Sequence, residues 1–350
     1  VIAPPYDVID PDQERALCAR DEHNIVHLTM GKVPAEGRNR GEYTRVAATL
    51  KRWQRGGILR MDEEPAIYVV EQSFRFNGQA LLRRGFISAL RLEDLGNGIY
   101  PHEHTLSSPK TDRFALTKAC GTKLSQILAT YSDPDGDIDG LVSNMRSGRP
   151  DYCFTDDQGI DYRFWSVRDI DEVSRLSQKV AEQDLVIADG HHRYESSLTF
   201  ARAHRNPDRA WGTSPVDYIP AFCISVANTG LLTLPTHRRI HTDSTIEEEG
   251  FLNRVSDEFK SFALGHTSSD SVQKKFDRAR EKRELIGCVL PGGRLFLLDP
   301  RDVYRLRQRF SAQADSWWKL PVSLLHHVLL PDLIGVNPEP NSDKIDFRHQ

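Results

Sequence analysis

The chain has 350 residues, enough for one large domain or two ordinary ones with a substantial core. Apolar residues make up 39% and charged residues 27%, a globular composition rather than a disordered one. The net charge of −4 argues against broad nucleic-acid binding, and no run of about 18 apolar residues is present to span a membrane as a helix.

The chain opens VIAPPYDVID, with no Met and no signal-peptide pattern, so it is expected to begin inside a longer reading frame. The opening reads as a Pro-rich extended segment and turn. Residues 42–55 place Val46, Leu50 and Trp53 on one helical face, and Gly56-Gly57 stops that helix. Two apolar-rich runs flank Asn77-Gly78, a strong hairpin signal. Helical patterns follow at 111–129 and 170–182, with a second hairpin, DYCFTDDQGIDYRFWSV, between them. DLVIADG reads as a buried strand and HHRYESSLTFARAH as a helix. YIPAFCISVANTGLLTLP reads as two strands about Asn228-Thr229-Gly230. From about residue 244 the texture becomes charged helices, STIEEEGFLNRVSDEFKSF and SVQKKFDRAREKRE. A hairpin across Pro291-Gly292-Gly293 and a helix PVSLLHHVLLPDLI complete the reading. There is no strict βαβ rhythm, which favours α+β (mixed α/β) over a Rossmann sheet.

Five dispersed cysteines (Cys18, Cys120, Cys153, Cys223, Cys288) form no CxxC. They fit a reducing, cytoplasmic setting and small buried thiols rather than a zinc site.

The densest chemistry lies at IADGHHRYESS, residues 187–197. A helix N-terminus presents backbone N–H groups and the positive end of a dipole, so it suits an anion. Asp189 is placed to cap the helix, and Gly190 allows close approach to the backbone. His191, His192 and Arg193 then occupy the first turn, where cations are unfavourable unless an anion joins them. The competing reading is a capped helix whose His and Arg side chains face solvent.

A second cluster, YPHEHTLSSPKTDR at 100–113, is almost wholly polar. Glu103 reads as a general base with basic residues holding an anion. Alternatively, His102 and His104, on one face of an extended segment, read as metal ligands. A third reading is a polar loop leading into a helix capped by Thr111. LPTHRRI at 234–240 adds His237 and Arg238, which gain meaning only as contributors to a shared pocket. His326 and His327 lie in an apolar helix and read as packing residues, and Trp317-Trp318 as core or interface.

APPYDVI, PHEHTLSSPKTDR, IADGHHRYES and LPTHR, in that order, resemble the bacterial and archaeal DUF1015 family, often labelled ParB-like, over about residues 1–335. The DGHHR corner is also similar to the signature box of the ParB/sulfiredoxin superfamily. In texture it resembles the archaeal free-serine kinase, which combines PHE with DGHHR. The resemblance implies a ParB/sulfiredoxin-like core with inserted hairpins and helices over 1–240, and a helical plus hairpin region over 241–350. It implies phosphate or nucleotide binding by Gly190, His191, His192 and Arg193, with Asp189 beside them and Glu103 as catalytic base. Lys110 and Arg113 would steady phosphates or a substrate carboxylate, with His237 and Arg238 as further contributors. ATP or ADP is the implied nucleotide, and Asp189 the ligand for any Mg²⁺.

The expected function is therefore a phosphotransferase-type enzyme acting on a small hydroxylated substrate, with serine or phosphoserine the best guess and the direction of transfer open. Its catalytic residues would be Glu103, His192 and Asp189. The alternatives are a non-catalytic nucleotide-binding or DNA-associated regulator, and a metal-dependent hydrolase using His102 and His104. The expected partner is a small molecule, with neither nucleic acid nor membrane; oligomeric state is left open.

Overall fold

A computed structural model describes residues 1–350 apart from 31–39, 103–104, 106, 235–236, 242–245, 269, 283–284, 303, 306–307, 309–313, 319, 337–344 and 349–350. The chain divides into two compact units, Val1–Leu232 and Thr233–Gln350. The division falls before His237 and Arg238, so both belong to the second unit. The mixture of helices and strands is α+β.

The first unit is built on an eight-stranded mixed sheet. Its strands are β1 (Ile67–Phe76), β2 (Gln79–Arg91), β3 (Ile99–Tyr100), β4 (Ile127–Tyr131), β5 (Tyr152–Thr155), β6 (Asp161–Val167), β7 (Leu185–Asp189) and β8 (Tyr218–Ser225), in the order β3-β7-β4-β8-β2-β1-β6-β5. Two pairings, β3–β7 and β4–β8, are parallel, and the other five are antiparallel. The β1–β2 turn falls at Asn77-Gly78, as the sequence indicates. Both residues have positive φ, +48° and +80°, as a tight two-residue hairpin turn requires.

Helices α1 (Pro11–Arg20), α2 (Val26–Thr29), α3 (Arg40–Arg55), α4 (Ser107–Cys120), α5 (Asp137–Asn144), α6 (Ile170–Ala181) and α7 (His191–His204) complete this unit. Its main core joins strand residues Val69, Phe86, Ile127, Ala129, Ile187 and Ala221 to Ile138 and Val142 of α5, Leu176 of α6, and Tyr194 and Ala201 of α7. A smaller cluster packs Val46, Leu50 and Trp53 of α3 against Leu116 of α4. These are the three residues whose helical spacing marks an apolar face.

Several local expectations change. The opening segment contains α1, started by a capping box in which Asp10 Oδ1 accepts the Gln13 backbone N–H and Gln13 Oε1 accepts the Asp10 backbone N–H. The helix expected over 111–129 begins at Ser107 and ends at Cys120. Gly121 then takes φ +66°, and the remaining apolar residues form β4. Thr111 therefore lies inside α4 rather than at its N-terminus. Residues 231–234 form no strand; a turn after β8 sets Gly230 against the backbone of Leu82 and Arg83. Among the cysteines, Cys223 is buried but Cys153 is exposed.

In the second unit, β9 (His237–Ile240) pairs with β13 (Ile345–Arg348). A three-stranded sheet has the order β10 (Phe259–His266), β12 (Arg294–Pro300), β11 (Ile286–Val289). The charged stretch expected as one helix up to Phe262 is instead α8 (Glu248–Val255) followed by β10. The fully buried Phe259 opens that strand, so tertiary burial overrides local helical propensity there. The hairpin at 291–293 is present, and α9 spans Asp270–Lys282. The last apolar helix starts at Pro321 and widens to π geometry over Leu325–Ile334, with Pro331 inside it.

Candidate functional site

Strand β7 delivers the corner. Leu185 and Ile187 face the core while Val186 faces out, and the chain turns at Gly190 into α7. Gly190 has φ +92°, which a side chain rarely tolerates. A Cβ there would also lie 2.9 Å from Arg193 Nε and 3.0 Å from Ile127 Cγ2. The glycine thus serves the packing of the Arg193 guanidinium onto the turn.

The first turn of α7 is not a row of unbalanced cations. Arg193, with a side chain only 9% exposed, folds back to pair with the Asp189 carboxylate and donates to the Gln126 carbonyl. Its Nε is buried with no hydrogen-bond partner. Asp189 makes no cap; the N-cap is Gly190, without a side-chain bond. Asp189 is 48% exposed and engaged with Arg193 instead.

His191 is 4% exposed, and its Nε2 accepts the backbone N–H of His102 at 3.3 Å. Burial, reinforced by the neighbouring His102, lowers its pKa to about 4, so the ring is neutral at pH 7. The accepting role of Nε2 places the ring proton on Nδ1. His102 meets this ring edge-on, at 4.4 Å between centroids. Its own Nδ1 donates to the Ile187 carbonyl at 2.7 Å.

The polar block is therefore laid along α7. Thr105 Oγ1 donates to Glu195 Oε1 at 2.7 Å, and Lys110 Nζ donates to Glu195 Oε2 at 3.0 Å. Burial alone would raise the Glu195 pKa. The Thr105 hydroxyl, the Lys110 ammonium and His192 outweigh it and hold the carboxyl below its ordinary range. His192 is half-buried on the same turn. Glu195 was not singled out by sequence. Yet it stands four residues from His191 and three from His192, a spacing that puts all three on neighbouring parts of one helix surface.

Arg113 takes another path. It pairs with Asp112, which also accepts the Tyr43 hydroxyl at 2.8 Å, and it donates to the Thr29 carbonyl at 3.2 Å. The Tyr6 ring lies 4.0 Å from its guanidinium. Tyr6, from the opening APPYDVI, is thus brought to the block at 100–113; its place there had no local signal.

Glu103 and His104 lie outside the described residues. Among the described residues no group of three His, Cys, Asp or Glu is arranged to hold a metal ion. In the second unit, Arg238 Nε donates to His326 Nε2 at 3.2 Å; burial, with Arg238 beside it, lowers the His326 pKa to about 4. His327 packs on Trp317 at 4.8 Å between ring centroids, and His237 is exposed on β9. Arg238 and His326, read separately in the sequence, form one contact.

The first unit is an α+β scaffold in which a strand-to-helix corner, a histidine pair and an anchored carboxylate lie together along α7. The chain belongs to the DUF1015 family, described as a protein of unknown function, which it matches over residues 1–323. No curated protein and no solved structure matches it. Among the described residues no helix is long and apolar enough to cross a membrane.

Proposed function

We propose that the chain is a phosphotransferase-type enzyme that binds a nucleotide or phosphorylated metabolite at the N-terminus of α7. It would act on a small hydroxylated substrate, serine or phosphoserine being the best candidates, in either direction. The observation that carries this reading is the docking of the polar block on α7. His102 and Thr105, which flank Glu103 in sequence, hydrogen-bond to His191 and Glu195.

Phosphoryl transfer needs N–H donors and cations around the transferred group and a carboxylate to take the acceptor's proton. The first-turn amides of α7, with His192 and Lys110, are the candidate donors, and Glu103 is the candidate base. Arg193 supports the corner through Asp189 and Gln126. A Mg²⁺ ion would take Asp189 and a phosphate oxygen, competing with Arg193 for the carboxylate.

The test is a thermal-shift screen against ATP, ADP, AMP, serine and phosphoserine. A ligand at a hundred times its Kd adds about 2.7 kcal/mol of stability. Turnover with the stabilising pair is then measured in Glu103→Gln and His192→Ala. Stabilisation by a nucleotide or phosphoserine, with turnover lost in both variants, is the expected result. Stabilisation without turnover would favour a non-catalytic binding module. Unchanged turnover in both variants would sink the proposal.

A further inference from the structure

Glu195, in the second turn of α7, has both carboxylate oxygens in use. Oε1 accepts the Thr105 hydroxyl at 2.7 Å and Oε2 the Lys110 ammonium at 3.0 Å. Thr105 precedes α4, which begins at Ser107, and Lys110 lies in the first turn of that helix. One carboxylate thus fastens the chain on both sides of a helix start. The Glu195–Lys110 pair is partly exposed, at 26% and 34%, so it adds little to the stability of the fold. What two bonds from one planar group supply is direction: they fix where the segment lies on α7.

The same segment is tied again one turn earlier. His191 Nε2 accepts the His102 backbone N–H, and His102 Nδ1 donates to the Ile187 carbonyl of β7. In sequence, Glu103 therefore lies between one tie at His102 and another at Thr105. The two ties depend on each other. The His102 amide can bond only to the unprotonated His191 nitrogen, and that ring stays unprotonated because its surroundings keep water from it. A hold loosened at Thr105 and Lys110 would admit water at His191.

We infer that Glu195 is a positioning residue: through Thr105 and Lys110 it holds the segment from His102 to Lys110, in which Glu103 lies, against the start of α7, and it acts on the substrate only through that segment. Its effect on turnover rests on the phosphoryl-transfer reading above; the hold itself does not, and the two are read separately.

The full chain is compared with Glu195→Ala, Thr105→Val and Thr105→Ser, with circular dichroism to confirm folding; alanine suits a helix interior. The first readout is the titration midpoint of the His191 ring, its resonance assigned by loss in His191→Gln. His191 feels the charges of His102, Asp189, His192 and Glu195. The Glu195 charge favours the protonated ring, so removing that charge alone would carry the midpoint below about 4. Releasing the segment does the opposite and carries it towards 6.5. A rise of about one unit, tenfold in proton affinity, is expected in Glu195→Ala and Thr105→Val, with Thr105→Ser close to wild type. Thr105→Val changes no charge and decides the matter if Glu195→Ala does not fold. A midpoint that falls or stays in place overturns the inference. The second readout is turnover with the pair that the thermal-shift screen selects. There kcat should fall at least about tenfold in Glu195→Ala and Thr105→Val, with KM within about threefold of wild type. Wild-type kcat in both variants overturns the inference. A raised midpoint with no turnover in wild type sustains the hold and overturns the phosphoryl-transfer reading instead.

Discussion

Lowering the pH should destabilise the first unit through His191. Its pKa is about 4 in the folded chain against an ordinary 6.5. Between those values the unfolded chain binds a proton that the folded chain refuses, so stability rises with pH across that window. The contribution is complete above the ordinary value and is lost as the pH falls towards 4. Linkage gives a loss of about 2 kcal/mol between about pH 7.5 and about pH 5. The cause is structural: the ring is almost wholly buried, and its unprotonated Nε2 is occupied by the His102 amide. Two measurements check this. Ring-labelled histidine NMR should show the His191 resonance, assigned by its loss in His191→Gln, titrating near the low value. Urea unfolding of His191→Gln should show a pH dependence flatter than wild type by about 2 kcal/mol over the same interval. His326 contributes a similar dependence from the second unit, and it cancels in this comparison. A His191 midpoint near its ordinary value, or an unaltered pH dependence in the variant, would refute the reasoning.

Gly190→Ala should cost about 2–3 kcal/mol in urea unfolding, since it adds positive-φ strain to contacts with Arg193 and Ile127; an effect below about 1 kcal/mol would contradict the packing described. Glu71, 3% exposed, accepts from Arg84 at 2.8 Å and Arg146 at 2.7 Å, so Glu71→Gln should lose about 3 kcal/mol by leaving two poorly solvated guanidinium groups without their counter-charge. Glu71→Gln/Arg84→Met should recover part of that loss in the same assay, and strict additivity of the two substitutions would argue against the network.

Much of the local structure was legible because its causes are local. Asn77-Gly78 supplies the two positive-φ residues of a hairpin, and the spacing of Val46, Leu50 and Trp53 defines a helix face. Asp189-Gly190 marks the strand-to-helix corner at the correct residues. The capping box at Asp10 and Gln13 was equally local and escaped notice because the surrounding prolines suggested an extended chain. The family, too, was visible in four ordered motifs and is the family the chain belongs to.

By itself, then, the sequence determined where the polar chemistry clusters and which turns and helices carry it, since backbone propensity and periodicity act over a few neighbouring residues. Only the tertiary structure decided which side chains face one another and in what charge state. His191, a presumed cation, is a neutral acceptor because its surroundings remove water from it. Arg193 is paired with Asp189, and Glu195 gathers Thr105 and Lys110 from 90 and 85 residues away. Desolvation and hydrogen bonding of this kind arise from groups distant in the chain, so no local pattern announces them.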